Sequence, residues 1–163
     1  MRRRIRKRFR SYVDPELVDY VLDPDRKPVD TTPKIRSVRF IFIRVREGAF
    51  ESMQRLTSIV VEAAIAKGAL VETCDQAYIK CGFNLLDYKQ PQQPEDPVGL
   101  LEAIKSEVGS DVAVIHGLCD AHVGDFGIPN RASFGAHLPH EQRVVRELMN
   151  LPIGEVREVA PGS

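Results

Sequence analysis

Val38 to Val45, reading VRFIFIRV, is apolar and rich in β-branched and aromatic residues at both odd and even positions. A strand with one wet face alternates apolar and polar residues, whereas a run that is apolar on both faces belongs at the centre of a sheet covered on both sides. Any fold open to this chain has to be built around that strand. Arg44, near its end, is the anomaly, because it places a permanent cation where the pattern calls for burial.

The segments that follow supply the cover. From Glu47 to Lys67 the residues Phe50, Met53, Leu56, Val60, Ala63 and Ala64 recur at helical spacing, and Gly68 stops the helix. Ala69 to Thr73 and Ala77 to Gly82 read as two strands joined tightly at Cys74, Asp75 and Gln76. Tyr88 to Pro97, with its prolines and glutamines, is a loop, and Val98 to Val108 is a helix with Leu100, Leu101 and Ile104 inward. Asp111 to Leu118 is a second buried strand. Asp120 to Asn130, containing Gly124, Gly127 and Pro129, reads as a turn or hairpin. Leu138 to Leu151 is helical, and Ile153 to Val159 is a final edge strand. The order β-α-β-β-α-β gives an α+β fold of the split βαβ, ferredoxin-like kind: an antiparallel sheet with helices on one face.

A chain of 163 residues suits one domain with its own core. No apolar run approaches the length of a membrane span. Three cysteines (Cys74, Cys81, Cys119) without CxxC spacing, and no secretory signal, point to free thiols and a cytoplasmic setting. The net charge of zero conceals an asymmetry. Arg2, Arg3, Arg4, Arg6, Lys7, Arg8 and Arg10 make the first ten residues strongly basic, leaving 16 Lys and Arg against 23 Asp and Glu in the remainder. With no aromatic interleaving, the arm is a poor nucleic-acid reader. It reads better as the start of a connector whose upstream membrane or sensor domain would place the chain at the inner face of the membrane. Asp14 and Pro15 cap a short helix bearing Leu17, Val18, Val21 and Leu22, and Asp23 to Lys34 is a proline-rich linker. Residues 1–34 are therefore read as connector and linker, and 35–163 as the domain.

Four separated segments resemble class III adenylate and guanylate cyclases, in order. FRSYVDPELVDYVL (Phe9 to Leu22) resembles the segment before the catalytic domain. VRFIFIRV resembles the first strand, and TCDQAYIKCG (Thr73 to Gly82) the second metal-binding segment. IPNRASFGAHLPHEQR (Ile128 to Arg143) resembles the stretch containing Phe-Gly-Asp, a later asparagine and an arginine. The resemblance implies cyclisation of a nucleoside triphosphate, with two divalent ions held by two carboxylates and a site formed across a dimer. It assigns those two carboxylates to Arg44 and Gln76, base recognition to Glu72 and Ala136, and transition-state contacts to Pro139 and Arg143.

Only Arg143 keeps the family's residue type. An anion at ~4 Å from a unit charge is worth about 4 kcal/mol at an effective dielectric near 20, and about double for a divalent ion, so arginine at position 44 reverses a strong attraction. Asp75 is the candidate replacement ligand, although a one-residue slip in a strand points a side chain to the opposite face. A turn role suits it better. Arg143 has a bland alternative as a solvated helix charge beside Glu141 or Glu147.

The expectation is a catalytically inactive cyclase homology domain, a pseudoenzyme acting as a dimerisation or regulatory module in signalling. It would be a homodimer, or a heterodimer with another cyclase-like domain, and need no cofactor. The alternatives are a divergent active nucleotidyl cyclase, a phosphorus-oxygen lyase requiring Mg²⁺ or Mn²⁺, and a nucleotide-binding sensor without turnover. His116, Asp120 and His122 share one face of an ideal strand and form the only other candidate metal cluster, while His137 and His140 would share a side if both lay in a first helical turn.

Overall fold

The apolar run lies at the middle of the sheet. A computed structural model of the chain describes residues 32–74, 77–85, 97–128 and 134–160. In it β1 (Lys34–Val45) pairs antiparallel with β3 (Ile79–Phe83) on one side and with β4 (Val112–Asp125) on the other. Strand alternation divides β1 between two cores. Ile41, Ile43 and Val45 face one side, where they meet Leu56, Val60 and Ala64 of α1 (Phe50–Ala66) and Leu100, Ile104 and Val108 of α2 (Val98–Val108). Val38, Phe40 and Phe42 face the other, where they meet Val144 and Leu148 of α3 (Glu141–Asn150).

With β2 (Leu70–Cys74) paired to β3, the sheet order β2-β3-β1-β4 and the chain order β1-α1-β2-β3-α2-β4 are those of the split βαβ unit. Its two helices lie together on one face, and α3, beyond the unit, covers the opposite one. Val144 and Leu148 are the buried residues of α3, each worth roughly 1.5–3 kcal/mol.

Two further strands share the outer edge of β4. β5 (Phe134–His137) runs antiparallel along His122 to Asp125, and β6 (Val156–Glu158) runs parallel along Val114 to His116. The sheet is thus antiparallel except at its last pair. The Val159 N–H donates to the His116 carbonyl at 2.9 Å. Gly117 allows this approach, because a Cβ there would run into the Val159 carbonyl and the Phe40 ring.

The structure corrects three boundaries. Asp120 to Asp125 does not turn but continues β4, because β1 starts at Lys34 and residues Lys34 to Val38 pair with Val123 to Cys119. Burial of Ala121 and Val123 accounts for that extension. The last helix starts at Glu141 rather than Leu138, since His140 adopts a left-handed conformation with φ 56°. His137 consequently ends β5 and His140 precedes the helix, so the two do not share a helical turn. The basic arm, the Asp14 to Leu22 helix, most of the linker, Asp75, Gln76 and most of the Tyr88 to Pro97 loop lie outside the described residues. Among those described, no helix is long and apolar enough to cross a membrane.

Candidate functional site

On the α3 side of the sheet, β2 and β3 fall out of simple register between Val71 and Thr73, leaving Glu72 as the extra residue of a bulge. A bulge re-aims a side chain at the cost of a local break in the ladder, and pairing resumes beyond it with the register shifted by one. Glu72 turns onto the face that also carries Lys80, which sits opposite Phe42 in the β1–β3 ladder. The two side chains are 7% and 8% exposed.

Both are committed to β5 and α3. The Lys80 ammonium donates to the Ala136 carbonyl at 2.6 Å, lies 2.8 Å from Glu141 Oε1 and 3.4 Å from Glu72 Oε1, and stands 5.9 Å from the centre of the Phe42 ring. Glu72 Oε1 in turn accepts the Ala136 N–H at 2.6 Å. Side chains from β2 and β3 therefore satisfy both backbone polar groups of Ala136, a role that a neighbouring strand would otherwise fill. Gly135 leaves room for this, since a Cβ there would strike the Glu72 carboxylate.

Burial pushes the Glu72 carboxyl above its ordinary value; Lys80 and the Ala136 N–H oppose the shift, and Glu141 reinforces it. A carboxyl raised in the folded state binds its proton more tightly there than in the unfolded chain. Its contribution to stability is therefore full below the unfolded pKa and is lost as pH rises through the folded one. Chemical denaturation of the wild-type chain should show stability rising as pH falls from neutral toward the ordinary carboxylate range. Glu72→Gln should flatten that segment of the profile, and an unchanged slope in the variant would assign the dependence to another group.

Of the positions singled out by sequence resemblance, the five among the described residues do not converge on one site within the chain. Arg44 points to the C-terminal end of α3, where its guanidinium donates to the carbonyls of Leu148, at 3.2 Å, and Leu151. Leu148 lies in the last helical turn and Leu151 is the extended residue that caps it, its N–H donating to the Leu148 carbonyl at 3.2 Å, so the guanidinium sits at the negative end of the helix dipole. A guanidinium so placed does not fit a divalent cation. Glu72 and Ala136 are brought together, but bound to each other. Pro139 is exposed in the turn before α3, and the Arg143 side chain, 62% exposed, pairs with Glu147 at 3.2 Å, i to i+4 on the helix.

His116, Asp120 and His122 do share a strand face, but His116 is buried opposite Ile41 and about 13 Å of strand separates it from Asp120. Among the described residues no three His, Cys, Asp or Glu side chains are grouped to hold a metal ion. Lys80 and Glu141 were not singled out from the sequence. The available signal was a lone lysine within the apolar run AYIKCGF, which alternation places on a covered face.

The chain superposes on solved structures of nucleotidyl cyclases. The adenylyl cyclase CyaB from P. aeruginosa superposes with a TM-score of 0.61 at 13% identity, covering 77% of this chain and 78% of that one. The guanylyl cyclase Cya2 gives 0.53 at 12%, covering 77% and 76%. This is a class III cyclase fold. A bacterial light-regulated adenylyl cyclase matches with a TM-score of 0.67 at 12% identity over 97% of this chain, which spans 53% of that longer protein. No protein-family model matches, and no curated protein matches in sequence. In this cyclase-like domain, the face opposite α1 and α2 is filled by α3, by β5 and by the Glu72–Lys80–Glu141 cluster.

Proposed function

We propose that residues 35–163 form a cyclase homology domain that has lost catalysis and works by protein contact, as a dimerisation or regulatory module in signalling, with residues 1–34 as its connector. Arg44 carries this proposal. Where resemblance assigns a metal-binding carboxylate, the chain has a cation whose hydrogen bonds hold α3 in place. Catalysis through that position would need the helix to give up its cap and the ion to approach a fixed positive charge. Arg143, the one retained family residue type, is paired with Glu147 at the surface, and a single group supplies only part of the stabilisation a transition state needs.

The test is an assay for cyclic AMP and cyclic GMP made by the purified chain from ATP or GTP with excess Mn²⁺, against a boiled control, with sedimentation run in parallel. No product, together with self-association that persists without nucleotide, is the expected outcome. Product above the control would overturn the proposal, and nucleotide binding without product would make the domain a sensor.

A further inference from the structure

We infer that His122 and His137 form a chelating pair for one borderline divalent transition metal ion of the Cu²⁺, Ni²⁺ or Zn²⁺ class. The two histidines are directly opposed in the β4–β5 ladder, next to the pair Val123 and Ala136. Val123 and Ala136 are 3% and 4% exposed, so alternation puts both histidines on the other, solvent-facing side, where both are exposed. Opposed residues on antiparallel strands have Cβ atoms about 4.5–5.5 Å apart, close enough for two imidazoles to converge on one ion at metal–nitrogen distances of about 2.0–2.1 Å. The backbone fixing their separation is a paired ladder rather than a loop, so little ordering is needed to bring them together. The Phe126 ring, 6.1 Å from that of His137, flanks the pair.

Ligand chemistry sets the class of ion. Imidazole nitrogens suit copper, nickel and zinc, whereas magnesium and calcium require oxygen donors. No third His, Cys, Asp or Glu completes the set among the described residues, so water fills the remaining positions. Such a site holds an exchangeable ion, unlike a closed four-ligand structural centre. The bound ion ties β5 to β4 independently of the Glu72 and Lys80 contacts on the opposite face.

Calorimetric titration of the full, untagged chain with CuCl₂, NiCl₂ and ZnCl₂ should give one ion per chain. His122→Ala and His137→Ala should each weaken binding at least as much as the ~10–100-fold that loss of an outer-shell partner costs a metal site, while His140→Ala leaves it intact. The ion should raise the thermal midpoint of wild type and of neither variant, with metal-free melts confirming that both fold. Sub-stoichiometric Cu²⁺ should also broaden the ring resonances of His122 and His137 in the wild-type chain before those of His116 and His140. Absence of binding, binding unchanged in either variant, uniform broadening, or one ion shared by two chains would each overturn the self-contained pair.

Discussion

Lys80→Ala is expected to destabilise the chain by about 3–5 kcal/mol, the usual cost of removing one partner from a buried ionic cluster. The variant leaves Glu72 and Glu141 facing each other without the ammonium between them, and leaves the Ala136 carbonyl without its 2.6 Å donor. Glu141 is 21% exposed and can turn toward water, but Glu72 is held by the bulge and by the Ala136 N–H. The penalty therefore falls mainly on Glu72, which is already the group that burial disfavours as an anion. Urea unfolding at neutral pH measures the loss. Combining Lys80→Met with Glu72→Gln should recover part of it, because removing charge from both sides costs less than stranding one. A loss below about 1 kcal/mol in the single variant would mean that water reaches the carboxylates and that the cluster behaves as a surface pair.

Arg44→Asp should cost about 3–6 kcal/mol and yield no cyclase activity, even though it restores the residue type that resemblance assigns to this position. The substitution removes two hydrogen bonds from a charged donor, each worth roughly 1.5–3 kcal/mol, and sets an anion against the negative end of α3. Arg44→Lys retains the sign but not the planar fork that reaches the Leu148 and Leu151 carbonyls together, and should lie between wild type and Arg44→Asp. The unfolding midpoint and the cyclic-nucleotide assay report separately. Product formation by Arg44→Asp would show that a single residue silences an otherwise intact site.

What could be read from the sequence was whatever local periodicity controls. The two-sided apolar pattern of Val38 to Val45 placed β1 at the centre, and the spacing of Leu56, Val60 and Ala64 placed α1. The extent of β4 was hidden because Gly124 and Asp120 are turn-forming residues by composition. Asp120 is held in the strand by pairing with Ser37 in the polar start of β1, some eighty residues earlier in the chain, and Gly124 by pairing with Gly135 of β5. Arg44 stood out as a charge in an apolar run, but its partners are carbonyls more than a hundred residues away, which no pattern near position 44 encodes. Arg143 was legible because its partner is one helical turn along. The Glu72–Lys80 pair depends on a register shift, and a strand's residue types do not announce a bulge.

That bulge also separates two kinds of change in the gene. Deleting the codon for Glu72 would return β2 to plain alternation against β3, with Leu70 and Val71 on their present faces and Thr73 still opposite Lys80. The sheet would survive the event, while the link from β2 to β5 would vanish with the carboxylate. A single in-frame insertion or deletion can therefore add or remove this connection without rebuilding the domain. For the same reason, counting residues across positions 70–74 in a cyclase-like chain lacking the bulge would misplace every side chain beyond it by one.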